Sequence, residues 1–490
     1  MSNNGLILTK FSKSLGHWPV RAINIALLGI SVGYLSTFNA FVVISIIISL
    51  LMIMALILWG VSIEHIAYLT LLLAPLNVYR AELPLVNLSG FRILLIVLII
   101  SYIFSMLARG GKIRKNPMYL FLSLHLFSTL LALGVGEFTS RTGTIFATTV
   151  AGLSLCFVFG NILDNKEKLY RAIHVFLTSY LIYVFFAVYT YYIGYIGGKV
   201  VDVPFRDLLP FKMPPPGHLE GGKMFVATTG ALQRLSLPTG SPPRLSIFLA
   251  AGVVLLMGLA LYVITNQRSG RRWIPYVLFA SILTIMTYLT MARTGWIALI
   301  GGLLILTYLW KSKLLFYRLS IKFLFITVVT LLLIALIVIV IPLPILVPIE
   351  RVTTTLEGLE RHWVTRLEAL SIFYTDIKTA FIGVGLSNYQ LYARGVHSHS
   401  AFTTVLAERG LIGSLLYWLL YFYSFLFLYR SAKRNDKDPK WQSYKRAIVA
   451  ALFVVIFGSL LYEFLHEVQV WIIIALATAM VGLEKYKESQ

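Results

Sequence analysis

The chain carries very little charge for its length. Only 13% of its 490 residues are charged, whereas 58% are hydrophobic and the mean hydropathy is +0.82. A water-soluble fold of this size needs a larger polar surface, so that class is excluded. Long apolar runs recur from residue 23 to residue 484, and about 20 apolar residues cross a bilayer as an α-helix. The sequence therefore predicts one polytopic, all-α membrane domain over residues 1–490.

Cysteine and nucleotide-binding motifs are also scarce. Cys156 is the single cysteine and lies in an apolar run, which excludes an intrachain disulfide and a multi-thiolate metal site. The sequence has no Walker loop, no Rossmann fingerprint and no Asp-rich metal motif. We therefore expect no metal and no other cofactor, and we do not expect a nucleotide-sugar donor.

Acidic residues are few, and the basic excess indicates the orientation. There are 20 Asp and Glu against 42 Lys and Arg, which gives a net charge of +22. Apolar runs predict about fourteen spans. They cover residues 23–38, 41–60, 64–79, 91–108, 118–136, 144–163, 171–195, 246–265, 273–290, 295–310, 323–348, 403–429, 447–464 and 468–484. Most basic clusters then fall on one side, which the positive-inside rule identifies as cytoplasmic, together with both termini. The charge therefore has a membrane explanation, and a nucleic-acid partner is not expected.

Two long connections are predicted to be external, residues 196–245 and residues 349–402. The first is rich in proline and glycine. In the second, residues 350–374 have apolar side chains at three- and four-residue spacing, which is typical of an amphipathic helix at the membrane interface. Both connections also carry several Lys and Arg residues, against the positive-inside rule. An anionic ligand on the outer side would explain them.

Arg293 is the most informative single residue of the sequence. The run from Trp273 to Trp310 is about 57 Å long as a helix, so it must turn at M-A-R-T-G. Arg293 then lies at the outer end of two short helices, between Thr290 and Thr294, where all three could bind an anion. The alternative is an arginine that reaches outward to lipid headgroups. We favour the anion site.

Further arginines stand at expected outer helix ends. Arg234 begins the segment R-L-S-L-P-T-G-S-P-P-R-L, which ends just after Arg244. Arginine binds phosphate through two parallel hydrogen bonds. Each of the two could also be a solvated surface charge, but with Arg293 they predict a phosphate site. Arg361 and Arg366 in the second external loop are secondary candidates.

His397 and His399 are the candidate proton-transfer groups. They follow the segment F-I-G-V-G-L-S-N-Y, in which Gly383 and Gly385 predict a tight turn. Histidine exchanges a proton near neutral pH, so either residue could act as a base at the membrane surface. The alternatives are a polar interfacial side chain and a metal site, but the H-x-H pattern supplies only two ligands.

The remaining titratable groups are expected to be structural. Glu463, His466 and Glu467 mark the last external turn, and the pair Glu64 and His65 lies on the other side of the membrane. His125 lies within a span and is expected to be a hydrogen-bonded core group.

Four segments resemble the O-antigen ligase and O-antigen polymerase superfamily of bacterial membrane glycosyltransferases. They are R-L-S-L-P-T-G-S-P-P-R-L, T-M-A-R-T-G-W-I-A-L, R-L-E-A-L followed by F-I-G-V-G-L-S-N-Y, and H-S-H-S-A-F-T-T-V-L-A-E-R-G-L-I-G. They lie within residues 230–430, in the family's order, and the last is the most specific. The chain departs from the family's pattern at Ser400, where asparagine is frequent, and in the segment Ser241–Arg244, where Pro-Asn is common.

The resemblance implies a fold and a reaction. It implies a GT-C-like membrane fold in the bacterial inner membrane, with an active site that faces the periplasm. The donor would be an undecaprenyl-diphosphate-linked oligosaccharide, used without metal or nucleotide. His399 would act on the acceptor hydroxyl as base, with His397 in a supporting role. Arg234 and Arg293 would hold the diphosphate.

Three functions remain open. A polymerase would join lipid-linked repeat units, whereas a ligase would move the finished glycan to lipid A-core. The number of spans slightly favours the polymerase, for which a chain-length regulator would be a possible partner. A transporter of lipid-linked oligosaccharides is the alternative from another class. Such proteins commonly have paired repeats and interrupted helices at mid-membrane, and the sequence shows no clear repeat.

Overall fold

The computed structural model describes residues 62–75, 80–82, 87–109, 113–190, 223–226, 230–233, 235, 241–266, 271–290, 292–310, 370–371, 377–389, 400–434, 436–463 and 467–488. All of them belong to one compact unit. The helices are α1 (Ile63–Leu72), α2 (Gly90–Arg109), α3 (Met118–Val135), α4 (Ser140–Ile162), α5 (Lys166–Thr190), α6 (Pro242–Asn266), α7 (Ile274–Leu289), α8 (Arg293–Leu309), α9 (Ile377–Ile382), α10 (Ala401–Lys433), α11 (Pro439–Leu461) and α12 (Val468–Glu488). The strands are β1 (Arg80–Glu82), β2 (Asn87–Ser89), β3 (Lys223–Val226) and β4 (Gly230–Gln233).

The described helices have the length and composition of membrane spans. Among the described residues, 7 helices are long and apolar enough to cross a bilayer: α3, α4, α5, α6, α10, α11 and α12. The apolar parts of α1, α2, α7 and α8 are shorter. Large apolar side chains are exposed on several outer helices, such as Ile103 on α2, Leu304 on α8 and Leu415 on α10. Such surfaces are suited to lipid rather than to water. The prediction of a helical membrane protein is confirmed at this level.

The predicted spans coincide with helices wherever the structure describes them. Spans 23–38, 41–60 and 323–348 lie outside the described residues, and of the amphipathic stretch 350–374 only residues 370–371 are described. Two short antiparallel hairpins were not predicted. β1 pairs with β2 just before α2, and β3 pairs with β4 within the loop predicted over residues 196–245.

The centre of the bundle is formed by α6, α11 and α12. Helix α6 packs against α7, α8 and α11, while α12 packs against α4, and α10 packs against α3 and α11. Glycines allow these helices to approach closely. A Cβ on Gly258 would overlap with Ala447 of α11, and a Cβ on Gly302 of α8 would overlap with Val454. Small residues at helix contacts are the usual basis of close packing in membranes.

Charged groups join the helices at the end where α10 meets α11. Lys445 is only 2% exposed, and its Nζ lies 3.3 Å from Asp436 and 3.4 Å from Glu484. Because a buried charge is stable only when paired, this group ties α11 and α12 to the connection between α10 and α11.

Asp438 caps α11 at the same end. Its carboxylate accepts hydrogen bonds from the Trp441 backbone N–H at 3.0 Å and from Lys166 at 2.7 Å. Burial raises the pKa of Asp438, but these two hydrogen bonds favour the charged form, and the net result is a lowered pKa.

Candidate functional site

Arg244 and Arg293 lie in the first turns of two neighbouring helices. Arg244 is in the first turn of α6, and Arg293 is the first residue of α8. The helix starts touch, because a Cβ added to Gly295 of α8 would overlap with Ser246 of α6. The structure therefore places two of the arginines that the sequence predicted for a phosphate site on adjoining helix starts. Arg234 lies outside the described residues.

The segment before α6 reaches the same place. The backbone N–H of Leu235, the residue after Arg234 in the sequence, donates to the carbonyl of Leu289 at 3.4 Å. Leu289 is the last residue of α7. The residue before α6 at position 235, the start of α6 and the turn from α7 to α8 therefore lie close together.

That turn forms where the sequence predicted it. α7 ends at Leu289 and α8 begins at Arg293. The Thr290 hydroxyl donates to the Thr287 carbonyl at 2.6 Å and accepts from the Ala292 N–H at 3.3 Å, so it closes the turn. The hydroxyl of Thr294 is buried and has no hydrogen-bond partner among the described residues. Of the two threonines predicted to bind an anion, Thr294 has the hydroxyl that is not used by the turn.

Arg244 is already paired with a carboxylate. Its Nη1 donates to Glu467 Oε1 at 2.7 Å, and the exposed fractions of the two side chains are 34% and 9%. Glu463 also lies near the Arg244 guanidinium. Glu467 therefore forms an ion pair between the start of α6 and the start of α12, in keeping with the structural role expected for it. The role of Arg244 in phosphate binding stays a prediction, with one edge of its guanidinium engaged.

The start of α10 lies beside the turn from α11 to α12. Ser400 is the N-cap residue of α10, and its Oγ donates to the carbonyl of Leu460 at 2.9 Å. Tyr462, two residues further along, accepts a hydrogen bond at 3.4 Å from Ser241, just before α6. The starts of α6, α8, α10 and α12 are therefore linked at one end of the bundle.

The two histidines precede α10 in the sequence. His397 and His399 lie outside the described residues, as do Arg361 and Arg366. The helix begins at Ala401, immediately after Ser400. The role of base predicted for His399, with His397 in support, therefore stays a prediction. The same holds for Arg361 and Arg366 as secondary phosphate-binding residues.

Helix α10 is interrupted, although the sequence predicted one continuous span over 403–429. The break is at Gly410, with φ 62° and ψ −171°. The backbone N–H groups of Val384 and Gly385 donate to the carbonyls of Ala407 and Glu408, each at 3.0 Å. Gly385 has φ 98°, which confirms the predicted tight turn. The G-V-G and A-E-R-G segments therefore meet backbone to backbone.

Glu408 and Arg409 adjoin the break, and neither was predicted to be a functional residue. Both side chains are 2% exposed. Arg409 donates to the hydroxyls of Ser128 and Thr129 at 3.2 and 2.8 Å, and its guanidinium lies 4.4 Å from the centre of the Tyr417 ring. Two ionisable residues inside a predicted span were the available signal, because such residues are costly in a membrane.

His125 occupies the position expected of a core group. Its side chain is buried, and its Nδ1 lies 3.1 Å from the carbonyl oxygen of Tyr417. The imidazole also packs against the Tyr417 ring, with the ring centres 4.1 Å apart.

The titratable groups of the described part of the chain include no cluster of three or more His, Cys, Asp or Glu side chains that could hold a metal ion. No known family model matches the chain, and no curated protein matches it. The chemistry must therefore be inferred from the residues at the linked helix starts.

Proposed function

We propose that this chain is a metal-independent, inverting glycosyltransferase of the O-antigen polymerase and ligase type. It uses an undecaprenyl-diphosphate-linked glycan as donor at the outer face of the bacterial inner membrane, and it polymerises the repeat units of a surface polysaccharide. One observation carries the proposal: Arg244 and Arg293 occupy touching helix starts, beside the buried hydroxyl of Thr294.

The helix starts are suited to a diphosphate. The first turn of α8 has unpaired backbone N–H groups and the positive end of the helix dipole, whereas α6 begins with Pro242 and Pro243, which have no N–H group. A bound anion would be stabilised at such an end, and Arg244, although paired with Glu467 through one edge of its guanidinium, is beside it. With Arg293 and the Thr294 hydroxyl on one helix and Arg244 on its neighbour, such an anion would meet several donors at once.

The reaction is a single displacement. His399 removes the proton of the acceptor hydroxyl as its oxygen attacks the anomeric carbon. The bond from that carbon to the diphosphate breaks, and the electron pair leaves with the diphosphate oxygen. Arg234, Arg244 and Arg293 stabilise the negative charge that develops there. The proton remains on the imidazole, and the anomeric centre is inverted.

The wider architecture belongs to the same proposal. It has about fourteen spans in a GT-C-like arrangement, with both termini in the cytoplasm. The loops over residues 196–245 and 349–402 are periplasmic, and a chain-length regulator is a possible partner. The described helices are compatible with about fourteen spans, because three of the predicted spans lie outside the described residues.

Among the described residues, the break in α10 is the feature that resembles a transporter, because interrupted helices are frequent in transporters. However, the break lies in the first third of α10, and residues 383–389 hold it through backbone hydrogen bonds. It is therefore not an open ion site, and the glycosyltransferase is preferred.

The test is a transfer assay with purified protein in lipid nanodiscs. The donor is a synthetic undecaprenyl-diphosphate oligosaccharide, offered alone or with lipid A-core, and the products are resolved by mass. We expect extended lipid-linked glycan from the donor alone, also in the presence of EDTA. Product only with lipid A-core would indicate the ligase, and no product in either arm would contradict the proposal.

The same assay tests the assignment of the base. His399→Ala should reduce turnover by roughly 10²–10⁴-fold, the usual contribution of a positioned base, and His397→Ala should reduce it less. His65→Ala is the matched control, because His65 is an exposed residue of α1, beside Glu64, which pairs with Lys168 of α5. Turnover of His399→Ala close to that of the parent would show that another group is the base.

A further inference from the structure

A groove between α2, α3 and α4 has no part in the proposed reaction. Helices α2 and α3 each pack against α4, and residues of all three helices line a groove of about 360 Å³. The lining is mainly apolar, with Ile103 from α2, Leu126 from α3 and Phe157 from α4 among its residues. The mechanism proposed above uses no residue of these three helices, so the groove needs an explanation of its own.

The groove is open toward the apolar surface of the bundle. Ile103, which lines it, is exposed, as are Leu107 near the end of α2 and Leu120 near the start of α3. Large apolar side chains exposed on membrane helices are suited to contact with lipid chains. A hydrocarbon chain can therefore reach the groove from the side.

One polar group in the groove has no hydrogen-bond partner. Tyr102 lines the groove and is only 7% exposed. Its hydroxyl oxygen is buried and makes no hydrogen bond within the part of the chain that the structure describes. Its ring packs edge-on against Phe157, with the ring centres 6.1 Å apart. A buried hydroxyl without a partner is unfavourable, and an ester or phosphate oxygen of a lipid would accept its hydrogen.

A basic segment is fixed at one end of the groove. Four of the seven residues 109–115, which connect α2 to α3, are Lys or Arg. The Arg114 backbone N–H donates to Asn161 Oδ1 at 3.0 Å, and Asn161 Nδ2 donates to the Tyr119 hydroxyl at 2.6 Å. Tyr119 lines the groove near the start of α3, and Asn161 lies near the end of α4. These hydrogen bonds hold Arg114 and the exposed Lys115 at the end of the groove.

We infer that the groove binds an anionic phospholipid, with one acyl chain between α2 and α3 and the phosphate at Arg114 and Lys115. Basic clusters beside transmembrane helices attract anionic headgroups, and the apolar lining is complementary to the chain. In the proposed topology this lipid belongs to the cytoplasmic leaflet. Its binding does not depend on the proposed transfer reaction, because the donor arginines are on α6 and α8.

The experiment measures lipid binding to the purified full chain in a nonionic detergent by native mass spectrometry. The probes are dioleoylphosphatidylglycerol, zwitterionic dioleoylphosphatidylcholine, and glycerol phosphate, which is a headgroup without chains. We expect phosphatidylglycerol to bind at least about tenfold more tightly than phosphatidylcholine, and glycerol phosphate not to bind. Equal affinity for the two lipids would overturn the proposal, and binding of glycerol phosphate alone would indicate a phosphate site without a lipid chain.

The basic end of the groove is tested by a pair of substitutions. Arg114→Ala with Lys115→Ala should lower the affinity for phosphatidylglycerol roughly 10–30-fold, and Lys115→Ala alone should lower it about fivefold, because each positive charge near an anionic headgroup contributes. The matched control is Arg271→Ala with Arg272→Ala, an exposed basic pair just before α7 that does not line the groove. Equal losses in the two pairs would show a general charge effect and would overturn the headgroup site.

The apolar part of the groove is tested separately. Tyr102→Phe should lower the affinity for phosphatidylglycerol about fivefold, the effect of one hydrogen bond. Without added lipid it should be at least as stable as the parent, because an unpaired buried hydroxyl is removed. Ser154→Phe places a ring in the groove and should abolish binding. Thr178→Phe is its control, since Thr178 is exposed on α5 and does not line the groove.

Two results would contradict the groove as the lipid site. Parent affinity in both Tyr102→Phe and Ser154→Phe would show that the lipid binds elsewhere. A parent protein that binds no phosphatidylglycerol, with Ser154→Phe strongly destabilised in thermal unfolding without lipid, would show that another part of the chain fills the groove. The predicted spans 23–38 and 41–60 would then be the candidates. Neither result depends on whether the protein transfers a glycan.

Discussion

Arg293 stands at a helix end where the dipole attracts negative charge. It is the first residue of α8, where the helix dipole is positive, and it is followed by a buried threonine hydroxyl without a partner in the described chain. A fully exposed lysine or arginine at such a position would say little about the presence of a bound anion. On the proposed function, the Arg293 guanidinium and the Thr294 hydroxyl are both donors to the diphosphate.

Arg293→Ala should reduce turnover by roughly 10²–10³-fold, the usual loss of one group that stabilises developing negative charge. Arg293→Lys should recover only part of it, because an ammonium cannot form two parallel hydrogen bonds. Arg272→Ala is the control, since Arg272 is exposed and lies just before α7, at the end of that helix remote from Arg293. Transfer and donor binding are measured for all three. Parent values for Arg293→Ala in both measurements would refute the diphosphate assignment.

The backbone turn at a single residue could be predicted where its cause lies in the neighbouring sequence. The turn at Arg293 follows from the length of an apolar run, and the turn at Gly385 follows from the properties of glycine. The partners of Arg244 and Arg409 could not be predicted in the same way. Glu467, Ser128 and Thr129 come from distant parts of the chain, and only the packing of the helices brings them into contact.

The close packing of α8 against α6 determines how far apart Arg244 and Arg293 lie. Gly295→Ala should destabilise the protein by about 1–3 kcal/mol, because the added methyl group overlaps with Ser246. On the proposed function, turnover should also fall, since the two helix starts must move apart. Thermal unfolding and transfer in nanodiscs measure the two effects.

Gly134→Ala is the matched control for that substitution. Gly134 lies within α3, and an added Cβ would meet no atom within 4 Å. Alanine is a better helix former by up to about 1 kcal/mol, so this variant should be as stable as the parent or slightly more stable. Equal stability of Gly295→Ala and Gly134→Ala would contradict the close contact.

At the level of elements, run length and hydropathy were sufficient to predict the described helices except the short α9, which was not predicted. The break in α10 was missed for a physical reason. A glycine inside an apolar run is compatible with a continuous helix, and Gly410 gives no local sign of its φ of 62°. The break is stable because Val384 and Gly385 supply the missing hydrogen bonds, and the sequence does not reveal that contact.

Two groups of charged side chains lie at opposite ends of the described bundle. The Lys445 and Asp438 groups lie where α10 meets α11, whereas Arg244 and Arg293 lie at the starts of α6 and α8. In the proposed topology the first end is cytoplasmic and the second is periplasmic. The proposed donor is carried on the periplasmic leaflet, so the function depends on this orientation.

Cysteine labelling in intact cells tests that orientation. Cys156 is buried and can be replaced by alanine to give a background without accessible thiols. In that background, a membrane-impermeant maleimide should label Lys223→Cys in β3 and Arg394→Cys in the second predicted loop. It should label Lys437→Cys, between α10 and α11, only after the inner membrane has been opened. The positive-inside rule is the reason, since the connection from α10 to α11 is strongly basic. Labelling of Lys437→Cys in intact cells with protection of Lys223→Cys would reverse the topology and exclude a periplasmic reaction.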